Sequence, residues 1–224
     1  MYKPNLIRSL KVSILMVFAL LIPMTSVFAS DGDHFITYEV TLENLTDGQI
    51  FSPPIFITHK RGYQLFYLRG RTSEELRLIA ETGNNGPAAE SANASRKVFD
   101  VEALSVPLLP GESLTVTIQA RKNSNLSLAS MLVQTNDGFV GANSLRLPRE
   151  NTRDFYLRTY DAGTEKNNEL ADYVPGPPFG GTLRDPSYQR IRLHRGILGI
   201  GDVDPAIYGW DEPTAKLTIT LLDN

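Results

Sequence analysis

The chain has 224 residues, with 22 Lys and Arg against 25 Asp and Glu, and it contains no cysteine. Its net charge of −3 argues against nucleic acid or an anionic membrane as the partner. The lack of cysteine excludes disulfides, thiolate zinc sites, a cysteine nucleophile and anchoring through a lipid-modified cysteine.

Residues 1–29 have the pattern of a secretory signal peptide. Three basic residues precede an 11-residue run over 12–22 that is apolar apart from Ser13. Such a run spans about 16 Å as a helix, whereas the hydrocarbon core of a membrane is roughly 30 Å thick. We expect cleavage after Ala29 and a secreted or periplasmic domain over 30–224 with no membrane span. Cleavage leaves 19 basic and 25 acidic residues, a charge of −6.

Alternating apolar and polar residues predict the first strand over 35–43, because successive side chains of a strand face opposite sides. Eight to ten short strands with a turn about every ten residues predict an all-β fold, an antiparallel β-sandwich, with a closed barrel as the main rival. The further predicted strands are 55–59, 64–68, 98–104, 113–120, 127–135, 142–147, 155–160, 190–194 and 216–222.

One short helix is predicted to begin after Ser73, which can cap its free amides, and to end at Gly83. The polar stretch 82–95 is predicted to be a loop with at most one helical turn. Residues 165–188 hold four prolines and little apolar periodicity, which predicts a long irregular loop.

No histidine stands beside a nucleophile motif or at a metal-ligand spacing, so the sequence assigns none a catalytic role. The candidate functional residues are instead acidic turns at 136–138, 160–165 and 201–204. Calcium takes six to eight oxygen ligands, and loops at one end of a sandwich can bring such oxygens together. Asp and Gly are also ordinary turn residues, so the residues alone leave both interpretations open.

Two motifs give the chain a family resemblance. The segment SLASMLVQTNDGFVG at 127–141 is followed about twenty residues later by YDAGT at 160–164. This combination resembles the spondin N-terminal domain, in which a hydrophobic strand leads into Asp-Trp-Phe-Val-Gly and then Tyr-Asp-Ala-Gly-Thr. The resemblance runs along nearly the whole mature chain and is closest to the stand-alone bacterial members.

The resemblance implies a C2-like β-sandwich and a calcium ion held by Asp137 and Asp161. Two features depart from the family pattern: Gly138 stands where the family has tryptophan, and the preceding strand lacks the third acidic ligand. Gln119 is the residue there that can offer an oxygen, which predicts weaker calcium binding because the charge of the ligands tunes affinity. Asp202 and Asp204 form a possible second acidic loop.

The function implied is a secreted, non-enzymatic binding or adhesion module for an extracellular protein or a glycan. Two alternatives remain. One is a secreted hydrolase that uses the paired carboxylates of Asp137 and Asp161 on a polysaccharide. The other is a structural envelope protein without a ligand.

Overall fold

A computed structural model of the protein describes residues 34–222, so the predicted signal peptide lies outside the described residues. The described part contains nine strands and three short α-helices. The strands are β1 (Phe35–Asn44), β2 (Ile55–His59), β3 (Val98–Ala103), β4 (Ser113–Arg121), β5 (Asn125–Met131), β6 (Gly138–Arg146), β7 (Thr152–Asp161), β8 (Arg192–Leu193) and β9 (Ala215–Leu221).

The strands pair antiparallel along one path in the order β3-β2-β5-β6-β7-β9-β1-β4, and β8 pairs with β7. Strand β7 belongs to both layers, because residues 152–157 pair with β9 and residues 158–161 pair with β6. The two ends of the path approach each other, and the Asp100 carboxylate accepts the backbone N–H of Gln119 at 2.7 Å. No ladder joins these described edge strands, so the predicted sandwich is confirmed and the barrel is not closed.

The main core fills the space between the two layers. Every second residue of β1 points into it, which accounts for the alternation in the sequence. Its fully buried members include Val40, Leu42, Ile118, Leu217 and Ile219 from one layer and Phe56, Leu126, Leu128 and Val140 from the other.

A second core covers the outer face of β2 and β5. Helices α1 (Glu74–Thr82) and α2 (Gly86–Asn93) lie against this face, so β2 is buried on both sides. The residues that make the contact include Leu76, Ile79, Ala88 and Ala92 from the helices and Ile55, Ile57, Ala129 and Phe139 from the strands.

The prediction of a single short helix is correct for α1 and wrong for the chain as a whole. The Ser73 hydroxyl caps α1 by accepting the Leu76 N–H at 3.3 Å, and Gly83 ends it with a left-handed φ of 70°. Helix α2 occupies the predicted loop because burial of its alanines stabilises a helix that its polar sequence does not favour. A third helix, α3 (Pro205–Tyr208), is capped at its N-terminus by Asp204.

The predicted strand at 64–68 is absent, and these residues form an irregular loop that enters a turn at Leu68. Leu65 and Phe66 are nevertheless buried, because they pack on the second core from a loop. Their apolar character therefore reflects burial rather than strand pairing. Within residues 34–222, no helix has the length and apolar character that crossing a membrane requires.

We predict that Ser73→Ala lowers the free energy of unfolding by about 1 kcal/mol, because the Leu76 N–H loses its acceptor. Urea denaturation with circular dichroism measures the change. Ser91→Ala is the matched control, since Ser91 is an exposed residue inside α2. Equal loss of stability in both variants would contradict the capping role.

Candidate functional site

The turn between β5 and β6 positions Asp137. The Thr135 hydroxyl donates to the Leu132 carbonyl at 2.7 Å and accepts the Gly138 N–H at 2.8 Å. These two hydrogen bonds close the turn on one side. The Asp137 side chain lies on the other side, against the loop that follows β7.

Backbone amides of that loop hold one oxygen of Asp137. Its Oδ2 accepts the N–H of Thr164 at 2.7 Å, the N–H of Glu165 at 3.0 Å and the Thr164 hydroxyl at 3.1 Å. The side chain is fully buried, and its Oδ1 has no hydrogen-bond partner among the described residues. One half of the carboxylate is therefore satisfied and the other half is not.

The last residue of β7, Asp161, lies next to Asp137. It stands opposite Gly138 in the β6–β7 pairing, and the Ala162 N–H donates to the Asp137 carbonyl at 3.1 Å. The structure thus brings together the two aspartates that the sequence resemblance selects. Asp161 is 1 % exposed.

Both oxygens of Asp161 have partners. Oδ1 accepts the Gly163 N–H at 2.7 Å, which forms a tight turn. Oδ2 accepts from the Asn167 amide at 2.7 Å and from the Arg192 guanidinium at 3.0 and 2.7 Å. Arg192 therefore supplies a positive charge where the resemblance implies a metal ion.

The crowding of buried acids raises two pKa values. Burial raises the pKa of Asp137 to about 7, and the negative charge of Asp161 adds to the effect. Burial also raises the pKa of Glu165 to about 7. The negative charges of Glu81 and Asp137 contribute to this rise, whereas the positive charge of Arg184 opposes it. Both carboxylates are costly to ionise without a compensating cation.

Two further buried atoms at this site lack a hydrogen-bond partner among residues 34–222: the Asn167 Oδ1 and the His194 Nε2. Burial lowers the pKa of His194 to about 4, so the ring is neutral at pH 7. Its Nδ1 accepts the Gly196 N–H at 3.0 Å, which leaves the proton on Nε2. The Asp137 and Asn167 oxygens are hard donors of the type that calcium prefers.

Gly138 is the position where the family pattern has a tryptophan. A Cβ there would lie 2.6 Å from the Thr135 Oγ1 and 3.2 Å from the His194 Cδ2. The His194 ring in turn packs on Trp210, with ring centroids 5.1 Å apart. The volume beside this turn is therefore filled from the C-terminal part of the chain.

The other predicted site residues do not join the two aspartates. Gln119 is exposed in β4, and its backbone carbonyl accepts the Thr58 hydroxyl. Thr58 pairs with Leu126 near the start of β5, whereas the Asp137 turn follows the end of that strand. Asp202 accepts the Ala171 N–H, and Asp204 caps α3 by accepting the Ala206 N–H, both at 2.8 Å. Both carboxylates are exposed and serve local backbone structure.

Sequence reasoning placed Glu165 in the candidate 160–165 turn but assigned it no role, and it missed Asn167 and Arg192. Asn167 and Arg192 reach Asp161 from an irregular loop and from a two-residue strand, and neither has a local motif. Within the described part of the chain, no group of three or more His, Cys, Asp or Glu side chains could hold a metal ion.

Comparison with known proteins adds a family. The family model described as Spondin_N matches residues 43–171, which is more than half of the chain. No curated protein matches the chain. Domains of this family are extracellular. The matched range contains Asp137, Asp161 and the amides that hold Asp137, whereas Arg192 and His194 lie beyond it.

We predict that, in the presence of a chelator, the free energy of unfolding falls as the pH rises from 5 to 8. The folded protein keeps protons on Asp137 and Glu165 up to about pH 7, whereas the unfolded chain releases them near pH 4. His194, whose pKa is lowered to about 4, acts in the opposite direction, but the two carboxyl groups together outweigh it. Asp137→Asn should flatten this dependence. Urea midpoints at both pH values measure it, and the exposed-site variant Asp211→Asn should keep the slope of the unmodified protein.

Proposed function

This chain belongs to the spondin N-terminal domain family, and from that premise we propose that it is a secreted binding module organised by calcium. The proposed ion is held at the turn after β5 and the loop after β7. Asp137 and Asp161 supply negative charge, and the Asn167 amide supplies a neutral oxygen. Adhesion to an extracellular protein or a glycan is the role that such a module would serve.

The single observation that carries the proposal is the buried Asp137 Oδ1 without a partner. Native proteins pair nearly all buried polar atoms, and an unpaired carboxylate oxygen is particularly unfavourable. A proton or a cation can compensate it. The unpartnered Asn167 Oδ1 and the adjacent Asp161 carboxylate favour a cation, since both are oxygen donors.

The bound ion would supply positive charge between two segments that are far apart in sequence. In this chain, the amides of Thr164 and Glu165 already orient the Asp137 carboxylate. Arg192 compensates Asp161 in the metal-free protein, and its side chain is 37 % exposed, so it can move towards solvent. The burial of both aspartates keeps a polysaccharide chain away from them, which favours binding over hydrolysis as their role.

We predict that calcium raises the melting temperature and that Asp137→Asn and Asp161→Asn each abolish the rise. A ligand that binds only the folded state adds about 2.7 kcal/mol at a hundredfold excess over its Kd. Calorimetric titration with calcium and melting curves in calcium and in chelator measure the effect.

Asp211→Asn is the control for this experiment, because Asp211 is exposed and lies outside the site. It should keep the full response to calcium. Identical melting curves of the unmodified protein in calcium and in chelator would refute the calcium site.

We also predict that Arg192→Gln tightens calcium binding about tenfold or more. The variant removes the cation that competes for Asp161 and leaves an uncompensated acidic pair. Titration of the variant with calcium measures the gain. Arg158→Gln, an exposed arginine on β7, should leave the affinity unchanged, and a loss of affinity in Arg192→Gln would mean that Arg192 supports the site.

A further inference from the structure

A basic groove lies at the end of the sandwich opposite the Asp137 turn. It has a volume of about 560 Å³ and includes Arg61, Arg146 and Arg149 in its lining. Arg61 follows β2, Arg146 ends β6, and Arg149 follows it, so the strand order brings the three together. All three are exposed in a protein whose overall charge is negative.

These arginines are not neutralised by any residue that the structure describes. None of the three forms an ion pair with a described residue, and Arg146 donates only to the Asn123 amide oxygen, at 3.1 Å. A guanidinium presents several donors in a fixed plane that matches carboxylate or sulfate oxygens. Three such groups around one concavity give it the charge and the donors that an anion requires.

A bulge in β6 supplies Ser144 to the groove lining. Two residues of β6, Asn143 and Ser144, stand opposite Ser127 of β5, and Ser144 has a left-handed φ of 58°. The Ser127 hydroxyl oxygen accepts the Ser144 N–H at 2.9 Å. Bulges of this kind re-aim side chains and are common beside functional sites.

A buried histidine supports the bulge. The His59 Nδ1 faces the Lys60 carbonyl at 3.0 Å and so carries the proton, which leaves Nε2 to accept the Ser127 hydroxyl at 2.9 Å. Both side chains are fully buried, so this pair is closed to substrates and acts as a brace. The His59 ring also packs on Tyr63 in the groove wall, with centroids 5.0 Å apart.

The remaining lining has the chemistry of a sugar site. Gln64 and Asn125 carry amides that both donate and accept hydrogen bonds, as sugar hydroxyls require. Tyr63 is half-buried and adds an aromatic surface. The lining contains no exposed aliphatic side chain that would insert into a lipid surface, and one aromatic ring does not make a stacking platform for nucleic acid.

We propose that this groove binds an acidic polysaccharide, with the arginines on its carboxylate or sulfate groups and the amides on its hydroxyls. The site is separate from the calcium site and requires no ion. It gives the proposed binding module a class of partner, but a failure of either proposal leaves the other standing.

Calorimetric titration tests the groove with three probes: a galacturonate oligomer, a sulfated dextran oligomer and a neutral dextran oligomer. The galacturonate and sulfate arms distinguish the two anionic groups, and binding of either supports the proposal. We expect no binding of neutral dextran, weaker binding at higher salt, and unchanged binding in a chelator. Binding that requires calcium, or equal binding of neutral dextran, would overturn the groove assignment.

The double variant Arg146→Gln/Arg149→Gln should weaken binding of the acidic oligomer about tenfold or more. The control is Arg71→Gln/Arg158→Gln, which removes the same charge from two exposed arginines outside the groove. Ser127→Ala should weaken binding without any change of charge, provided that its circular dichroism spectrum is native. Equal affinities in the groove and control double variants, or no binding of either acidic oligomer, would refute the proposal.

Discussion

Hydrogen bonds from two backbone amides to the Asp137 carboxylate organise this end of the molecule. The carboxylate comes from the turn after β5, and the N–H groups of Thr164 and Glu165 come from the loop after β7. These hydrogen bonds become stronger when the carboxylate ionises, because a charged acceptor binds an N–H more tightly than a neutral one. They fix the two family motifs against each other, and Asp161 is held in place beside Asp137 as a result.

The same arrangement buries several carboxylates close together, and the chain compensates their negative charge only in part. Arg192 compensates Asp161, and Arg184 lies 3.3 Å from Glu165, but the Asp137 Oδ1 has no donor among the residues that the structure describes. Both arginines come from the C-terminal part of the chain, outside the range that the family model matches. His194 and Trp210 come from the same part and fill the space beside Gly138. The C-terminal segment thus contributes contacts to this loop pair from outside the range that the family model matches.

The features that the sequence predicts well are those with a local cause. Alternation in β1 and the Ser73 and Gly83 caps of α1 each depend on neighbouring residues, and the structure has them as predicted. Helix α2 was missed because its stability comes from burial of Ala88 and Ala92 against the sheet, which no local pattern records. Tertiary burial likewise explains Leu65 and Phe66, whose apolar character suggested a strand.

The candidate site likewise contains residues that local motifs identify and residues that only the folded structure identifies. Asp137 and Asp161 were found through two motifs whose residues are contiguous in sequence, and the structure places them together. Gln119 was selected from a strand position by analogy, but its strand lies at the edge next to β3, away from the Asp137 turn. Arg192 contacts Asp161 although 31 positions separate them in sequence, and no local pattern predicts a contact at that separation.

Strand β7 has a consequence for how the domain resists separation of its layers. Because one half of the strand is hydrogen-bonded to β9 and the other half to β6, the layers cannot part without rupture of one of these ladders. Asp161 terminates the half that pairs with β6. A tensile load on the sandwich would therefore reach the acidic loop directly through the backbone, and the layers would separate only where one of these two ladders broke.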